Sequence, residues 1–198
     1  MSEESLCLRF ANTVSWHAGA HSVDQLQYYT DLVAWAQRRK LVGRQRARVL
    51  LKAAEGQPTP ARNTLQAARG LREVIYRIFV ASTRGRNPTE SDLLALNEAA
   101  RGALACRRLV YAEGGFRWRW AAHSGDLDQM MWPVVQSAVD LLSSHRIRRV
   151  KQCADDRGCG WLFVDLSKNH SRRWCSMSDC GNRAKAQRHY RRQRARRA

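Results

Sequence analysis

Four of the six cysteines lie near the C-terminus of this 198-residue chain and form two closely spaced pairs. Five residues separate Cys153 from Cys159, four separate Cys175 from Cys180, and fifteen lie between the pairs. Successive cysteine pairs at short spacing are typical of a closed tetrahedral zinc site. A segment with too little apolar mass for its own core also commonly obtains its stability from a metal. We therefore predict a structural zinc ion held by these four cysteines.

Two disulfides or four free thiols are the alternatives to this zinc site. Nothing marks the chain as secreted, and disulfides persist mainly in oxidising compartments, so zinc is the preferred interpretation. Gly158 and Gly160 flank Cys159, and Gly181 follows Cys180. Because glycine tolerates backbone conformations that other residues avoid, these positions should allow tight turns that aim amides at sulfur.

The residues around the cysteines predict a small treble-clef-like module. Residues 161–165 should form a strand in which Trp161, Phe163 and Asp165 share one face, residues 168–170 a turn, and residues 172–175 the return strand. Cys180 should lie in the first turn of a C-terminal helix that runs to about residue 197.

Several stretches resemble a known pair of domains. Residues 174–183 (WCSMSDCGNR), preceded by 159–165 (CGWLFVD), resemble the CGNR zinc finger, which is named after the tetrapeptide at 180–183. Residues 8–14 (LRFANTV) and 31–35 (DLVAW) are similar to its usual companion, the ABATE domain of proposed stress-induced transcription regulators. The resemblance implies the same four zinc cysteines and a DNA-binding role.

The charge of the chain is strongly positive and unevenly distributed. The formal net charge is +18, and residues 146–198 carry sixteen Lys and Arg against four acids, which leaves +12 there and +6 for residues 1–145. A basic block at one end favours a polyanionic partner, most often nucleic acid. A solubilising tail, or a contact with ribosomes or acidic lipids, is the alternative.

The predicted C-terminal helix is the expected nucleic-acid contact, because its arginines would repel one another unless phosphates neutralised them. Some of them can also offset the formal charge of about −2 that four thiolates around Zn²⁺ would carry. Whether any arginine reads guanine edges is left open by the sequence. The predicted nucleic-acid contacts are Arg172, Arg173, Arg183, Lys185, Arg188, Arg191 and Arg192.

Residues 1–145 predict a mostly helical domain with one small β-hairpin, so the whole chain is expected to be mostly α in an α+β fold. Apolar residues at three- and four-residue steps predict the helices. Residues 63–83 give the strongest pattern and should form the central helix, which should start at Thr59 or Pro60. Arg69, Arg72 and Arg77 lie on its other faces. An inward arginine could hold an anionic ligand, but arginines on a helix are usually solvated, so we expect these three to face solvent. The other predicted helices cover residues 6–14, 24–40, 44–55, 89–106 and 126–144.

Residues 108–112 and 116–120 alternate with a period of two and flank Glu-Gly-Gly, which predicts a hairpin. Phe116, Trp118 and Trp120 should share one face. Aromatic side chains alternating with arginine can bind single-stranded nucleic acid by stacking. A one-sided sheet that covers a helical core has the same pattern, and we favour this second interpretation because alternation is foremost a burial signal.

Arg9, Asn12 and Trp16 form a candidate pocket for an unknown small-molecule effector. An asparagine that bonds neighbouring backbone is the commoner alternative for Asn12. An enzyme that uses these residues with His17 and His21 is a further hypothesis. The chain has no nucleotide-binding glycine loop and no nucleophile with an evident base, and a zinc ion with four thiolates has no open position. We therefore predict that the protein is not an enzyme.

Together these patterns predict a zinc-containing, DNA-binding transcription regulator in two parts. Residues 1–145 would sense a signal or form a homodimer, and residues 146–198 would be the zinc finger. An RNA- or ribosome-associated protein is the alternative, since a basic zinc module alone does not separate DNA from RNA. The start of the chain is not signal-like and no apolar run approaches 18 residues, which predicts a cytoplasmic protein without a membrane partner.

Overall fold

The computed structural model describes residues 5–123, 125–155 and 157–195, without the side chains of residues 191 and 195. The fold is mostly helical with small antiparallel strand pairs, as predicted. The helices are α1 (Leu6–Ala11), α2 (Tyr29–Arg38), α3 (Arg44–Gly56), α4 (Pro58–Thr83), α5 (Glu90–Ala105), α6 (Trp132–Leu142) and α7 (Asn182–Ala195). The strands are β1 (Val14–Ser15), β2 (Val23–Asp24), β3 (Arg107–Ala112), β4 (Gly115–Trp120), β5 (Val150–Gln152) and β6 (Leu162–Val164).

Helix α4 is the central helix, as its apolar spacing predicts. It starts at Pro58, one or two residues before the predicted Thr59 or Pro60, because proline suits the first turn, where its missing N–H has no intrahelical partner to lose. Leu65, Ile75 and Phe79 are buried along one face, and α4 packs against α1, α2, α3 and α5. The core of the helical part therefore surrounds this one helix.

The prediction that Arg72 faces solvent is wrong. Its side chain is only 4% exposed, and its Nη1 and Nη2 atoms donate to the Oδ1 and Oδ2 atoms of Asp24 at 2.7 and 2.8 Å. A bidentate carboxylate offsets much of the cost of burying a guanidinium. Burial raises the pKa of Asp24, but the hydrogen bonds and charge of Arg72 outweigh it, so the pKa lies below its ordinary value.

The hairpin of β3 and β4, here called the arm, forms as predicted, but the prediction that its aromatic face covers the core is wrong. Phe116 and Trp118 are 73% and 58% exposed. The base of the arm packs on the helical body, where the Trp120 ring lies 6.1 Å from the Trp132 ring. Period-two alternation gives the arm two faces, and here the apolar face is left open.

One apolar core extends across residue 145. Val150, Leu162 and Val164 belong to the same buried cluster as the side chains of α1, α4 and α6. A second, smaller cluster contains Phe163 and the zinc-site cysteines. The division of the chain into folding units at residues 1–145 and 146–198 stays a prediction, which is tested by zinc removal below. Among the residues described, no helix has the length and hydropathy to span a bilayer.

Candidate metal centre

The four predicted ligand cysteines converge on one point. The Sγ atoms of Cys153, Cys159, Cys175 and Cys180 all lie within 4.8 Å of one another. Cys175 Sγ is 3.7 Å from Cys159 Sγ and 3.6 Å from Cys180 Sγ. A tetrahedral site with Zn–S bonds of about 2.3 Å has S···S distances of about 3.8 Å. The sulfur positions therefore fit zinc, and all four cysteines are free of disulfides.

Local structure explains how the sequence brings these sulfurs together. Cys153 follows β5 and Cys159 lies shortly before β6, so the first pair occupies the loop of a small hairpin. Cys180 lies in a π-helical turn, Met177–Gly181, that leads directly into α7. The predicted return strand at residues 172–175 is wrong, because β6 pairs with β5 instead.

The four sulfur atoms are too close together to carry four negative charges without a cation, because each thiolate disfavours ionisation of its neighbours. Hydrogen bonds from Cys159 and Cys175 lower the pKa of Cys153. The hydrogen bond to Cys153 is the main cause of the raised pKa of Cys159. Hydrogen bonds to Cys153 and Cys159 raise the pKa of Cys175. Burial is the main cause of the raised pKa of Cys180. Zn²⁺ removes this conflict because it binds four thiolates at once.

The start of the chain holds the metal centre against the helical body. The Asn12 side chain pairs with the backbone of Leu162, donating to its carbonyl at 2.8 Å and accepting from its N–H at 2.9 Å. Trp161 Nε1 donates to the Val14 carbonyl at 3.0 Å. The N–H of His17 donates to the Cys159 carbonyl at 3.2 Å. Residues 12–17 thus act as a docking strip for the cysteine module.

Two family matches follow the same division of the chain. Residues 4–145 match ABATE, described as "Putative stress-induced transcription regulator". The chain belongs to the ABATE family. Residues 149–193 match the CGNR zinc finger, so both parts of the resemblance are confirmed. No curated protein matches the chain. The cysteine cluster and the CGNR match together fit structural zinc, as predicted.

Arg183, the last residue of the CGNR tetrapeptide, is part of the metal centre. Its Nη2 atom donates to Cys180 Sγ at 2.8 Å and to Asp155 Oδ2 at 3.0 Å. Its guanidinium carbon lies 4.9 Å from the centroid of the Trp16 ring. A cation in this position offsets thiolate charge and ties α7 to the first cysteine loop.

We expect Arg183→Gln to weaken zinc binding by about 10- to 100-fold, because the variant loses the positive charge that faces the thiolates. Competition with a chromophoric chelator measures this. Lys185→Gln removes the same charge from an exposed position on the same helix and should leave zinc affinity unchanged. Equal zinc affinities for the two variants would show that Arg183 does not stabilise the bound metal.

The other predicted nucleic-acid residues fall into two groups. Arg172 Nε donates to the Trp174 carbonyl at 3.0 Å, and the guanidinium also contacts the Cys175 carbonyl, so Arg172 braces the loop before the third ligand. Arg173 is exposed, as are Lys185, Arg188 and Arg192 along α7. The side chain of Arg191 lies outside the described residues, and so do residues 196–198 at the predicted end of the helix.

The structure separates the residues of the candidate effector pocket. Arg9 and Asn12 line a cavity of about 170 Å³ beside α2. Trp16 lies elsewhere, with the guanidinium carbons of Arg157 and Arg183 at 5.7 and 4.9 Å from its ring centroid. The side chain of Asn12 bonds the backbone of Leu162, 150 residues away, and not neighbouring backbone as its alternative proposed. An effector in the Arg9 cavity stays a prediction.

A half-buried acid-base pair at the docking strip, His17 and Glu73, was missed from the sequence. His17 Nε2 lies 2.7 Å from Glu73 Oε2, and the His17 ring stacks on Tyr76 at 3.6 Å. Burial raises the pKa of Glu73, but the His17 hydrogen bond and the charges of His17 and Arg72 outweigh it, so the pKa is lowered. His17 therefore anchors the strip to α4. No local sequence pattern indicates this pair, because His17 and Glu73 are 56 residues apart.

Gly158 is required by a close approach between the two parts of the chain. Its φ is +95°, and an added Cβ would lie 2.6 Å from the Cα of Gly19. We expect Gly158→Ala to lower the free energy of unfolding by about 3 kcal/mol through strain and overpacking. Gly114→Ala is the matched control, because Gly114 has φ +78° but open space around its Cβ position. Urea denaturation of both variants separates the clash from the backbone strain.

Proposed function

We propose that this ABATE protein is a transcription regulator that binds DNA through α7 of its zinc finger. The carrying observation is the position and charge of that helix. It begins two residues after the ligand Cys180, and between residues 182 and 195 it has six Lys and Arg and no acid. The zinc site thereby fixes the first turn of a helix that its own charge would otherwise fray.

The dimensions and the charge pattern of α7 support DNA as the partner. Fourteen residues give a helix about 21 Å long, and the major groove of B-DNA admits an α-helix. Lys185, Arg188 and Arg192 follow each other at three- and four-residue steps, so they line one side of α7. Arg194 is exposed on another side. Cations on several sides of one helix can reach phosphates on both walls of a groove.

The ABATE part is proposed to sense a signal and to transmit it through the docking strip of residues 12–17. The strip connects α1 to the loop that holds Cys159, so a change in the packing of α1 would shift this loop and alter the metal centre. The family matches are of regulator and zinc-finger types, which supports regulation over catalysis.

Selection from a random duplex library, with zinc-loaded full-length protein and structured RNA as competitor, tests this function. An enriched duplex motif would establish a regulator that reads sequence. Duplex binding without an enriched motif would show that α7 contacts phosphates and does not read the base sequence. Preferential retention of the RNA competitor would overturn DNA as the partner in favour of the RNA-associated alternative.

A further inference from the structure

The outer part of the arm presents an apolar face to solvent. The strand register pairs Leu109 with Trp118 and Tyr111 with Phe116, so these four side chains share one face. They are 54%, 58%, 69% and 73% exposed, respectively. Soluble monomers rarely expose contiguous apolar patches of this kind, and such patches commonly mark interaction sites.

A groove of about 610 Å³ opens beside the base of the arm, between α4, α5 and the start of α6. Its floor is apolar and includes Leu71, Val74 and Val135, and many of its other lining residues are alanine or glycine. At Gly70 and Gly102 an added Cβ would meet no atom of the described residues within 4 Å, so both positions face open space there. The groove thus has room for side chains that α4 and α5 do not supply.

The charges of the groove and the arm are complementary. Among the residues that the structure describes, the groove is lined by Glu98, Asp126 and Asp128 and by no Lys or Arg, in a chain of net charge +18. The arm, residues 107–120, has four arginines against one glutamate, a formal charge of +3. Single-stranded nucleic acid could stack on the arm. It would be repelled by the acidic groove, whereas a second arm matches the groove in both polarity and charge.

We propose that two copies of this chain associate by placing the arm of each copy in the groove of the other. A two-fold arrangement satisfies both arms and both grooves in one closed interface. The two surfaces are adjacent in each copy, because Cys106 lies directly before β3 and lines the groove, and Trp132 lines the groove and packs on Trp120. The resulting dimer carries two zinc fingers.

This association is independent of the proposed function, because it is measured without nucleic acid. Sedimentation velocity of the zinc-loaded full chain over a range of concentrations is the readout. Phe116→Ser with Trp118→Ser removes the arm contacts from positions that are exposed in the monomer, so folding should be retained. Gly102→Phe fills the groove from an open position. We expect each variant to raise the dimer dissociation constant at least about a hundredfold.

Matched controls and a mixing experiment complete the test. Leu94→Ser removes another exposed apolar side chain, 62% exposed, and Gly56→Phe adds a side chain at another open glycine, both outside the groove lining. Neither should change the dissociation constant. The arm variant mixed with the groove variant should form a heterodimer through one intact arm–groove contact. A monomeric wild type, a dimer that survives both variants, or an arm variant that loses only binding to single-stranded oligonucleotide would overturn the proposal.

Discussion

Removal of zinc by chelation, or by Cys175→Ser, is expected to unfold residues 150–195 while α4 and its neighbours stay folded. The finger has a small core of its own, formed by Phe163 and the cysteines. Zinc contributes about 10–16 kcal/mol to the folding of comparable peptides, more than such a core can replace. Helix α7 and the β5–β6 pair should therefore be lost together.

The ABATE part should also lose stability, because Val150, Leu162 and Val164 leave the shared core. Burial of each aliphatic side chain contributes about 1.5–3 kcal/mol, and the unfolded finger still buries part of this apolar surface. We therefore expect the free energy of unfolding of the ABATE part to fall by about 5 kcal/mol. Hydrogen exchange resolved by segment measures both effects. Loss of protection throughout α4 and the finger in one cooperative step would show that residues 1–145 are not a separate folding unit.

Asp24→Ala is expected to destabilise the protein by about 3 kcal/mol, because it leaves the buried guanidinium of Arg72 without its bidentate partner. Thr13 and Glu73 still contact Arg72, which keeps the loss near the lower end of the range for buried pairs. Urea denaturation measures the change. The pair's contribution is complete above about pH 4, the ordinary Asp pKa, and is lost as the pH falls through the lowered value.

Two further variants show whether burial of the Arg72 guanidinium causes the loss of stability in Asp24→Ala. Arg101→Ala removes a surface pair with Glu98, in which the side chains are 78% and 69% exposed, and should change stability by less than about 1 kcal/mol. Asp24→Leu combined with Arg72→Met removes both charges of the pair and should be more stable than Asp24→Ala alone. Similar effects of Asp24→Ala and Arg101→Ala would contradict the importance of burial.

The metal centre could be predicted from the sequence because its ligands are marked by short spacing and by one chemical type. The docking strip could not be predicted from the sequence. The partners Asn12 and Leu162 are 150 residues apart, and Asn12 in a helical pattern looks the same whether it caps, binds a ligand or pairs with a distant backbone. The motif of Arg183 was recognisable, but its contact with Asp155 required the fold.

The helices illustrate the same limit. Apolar periodicity located α4, since burial of one face is repeated along the helix. Periodicity could not show that Arg72 lies inside, because the partner that makes this tolerable, Asp24, lies 48 residues away. Alternation in the arm identified two strands with two faces. It could not show which face is covered, since that depends on packing beyond the hairpin.

The most direct test of the central claim, that zinc presents α7 to nucleic acid, is duplex affinity as a function of salt. Wild type should show a log–log slope of roughly −5 if about five or six cations meet phosphates. Lys185→Ala, Arg188→Ala and Arg192→Ala together should bind weakly, with a slope reduced by roughly 3, and should keep zinc. The control removes equal charge from exposed Arg44, Arg48 and Lys52 on α3. Equal affinities and slopes for the two triple variants would exclude α7 from the binding face.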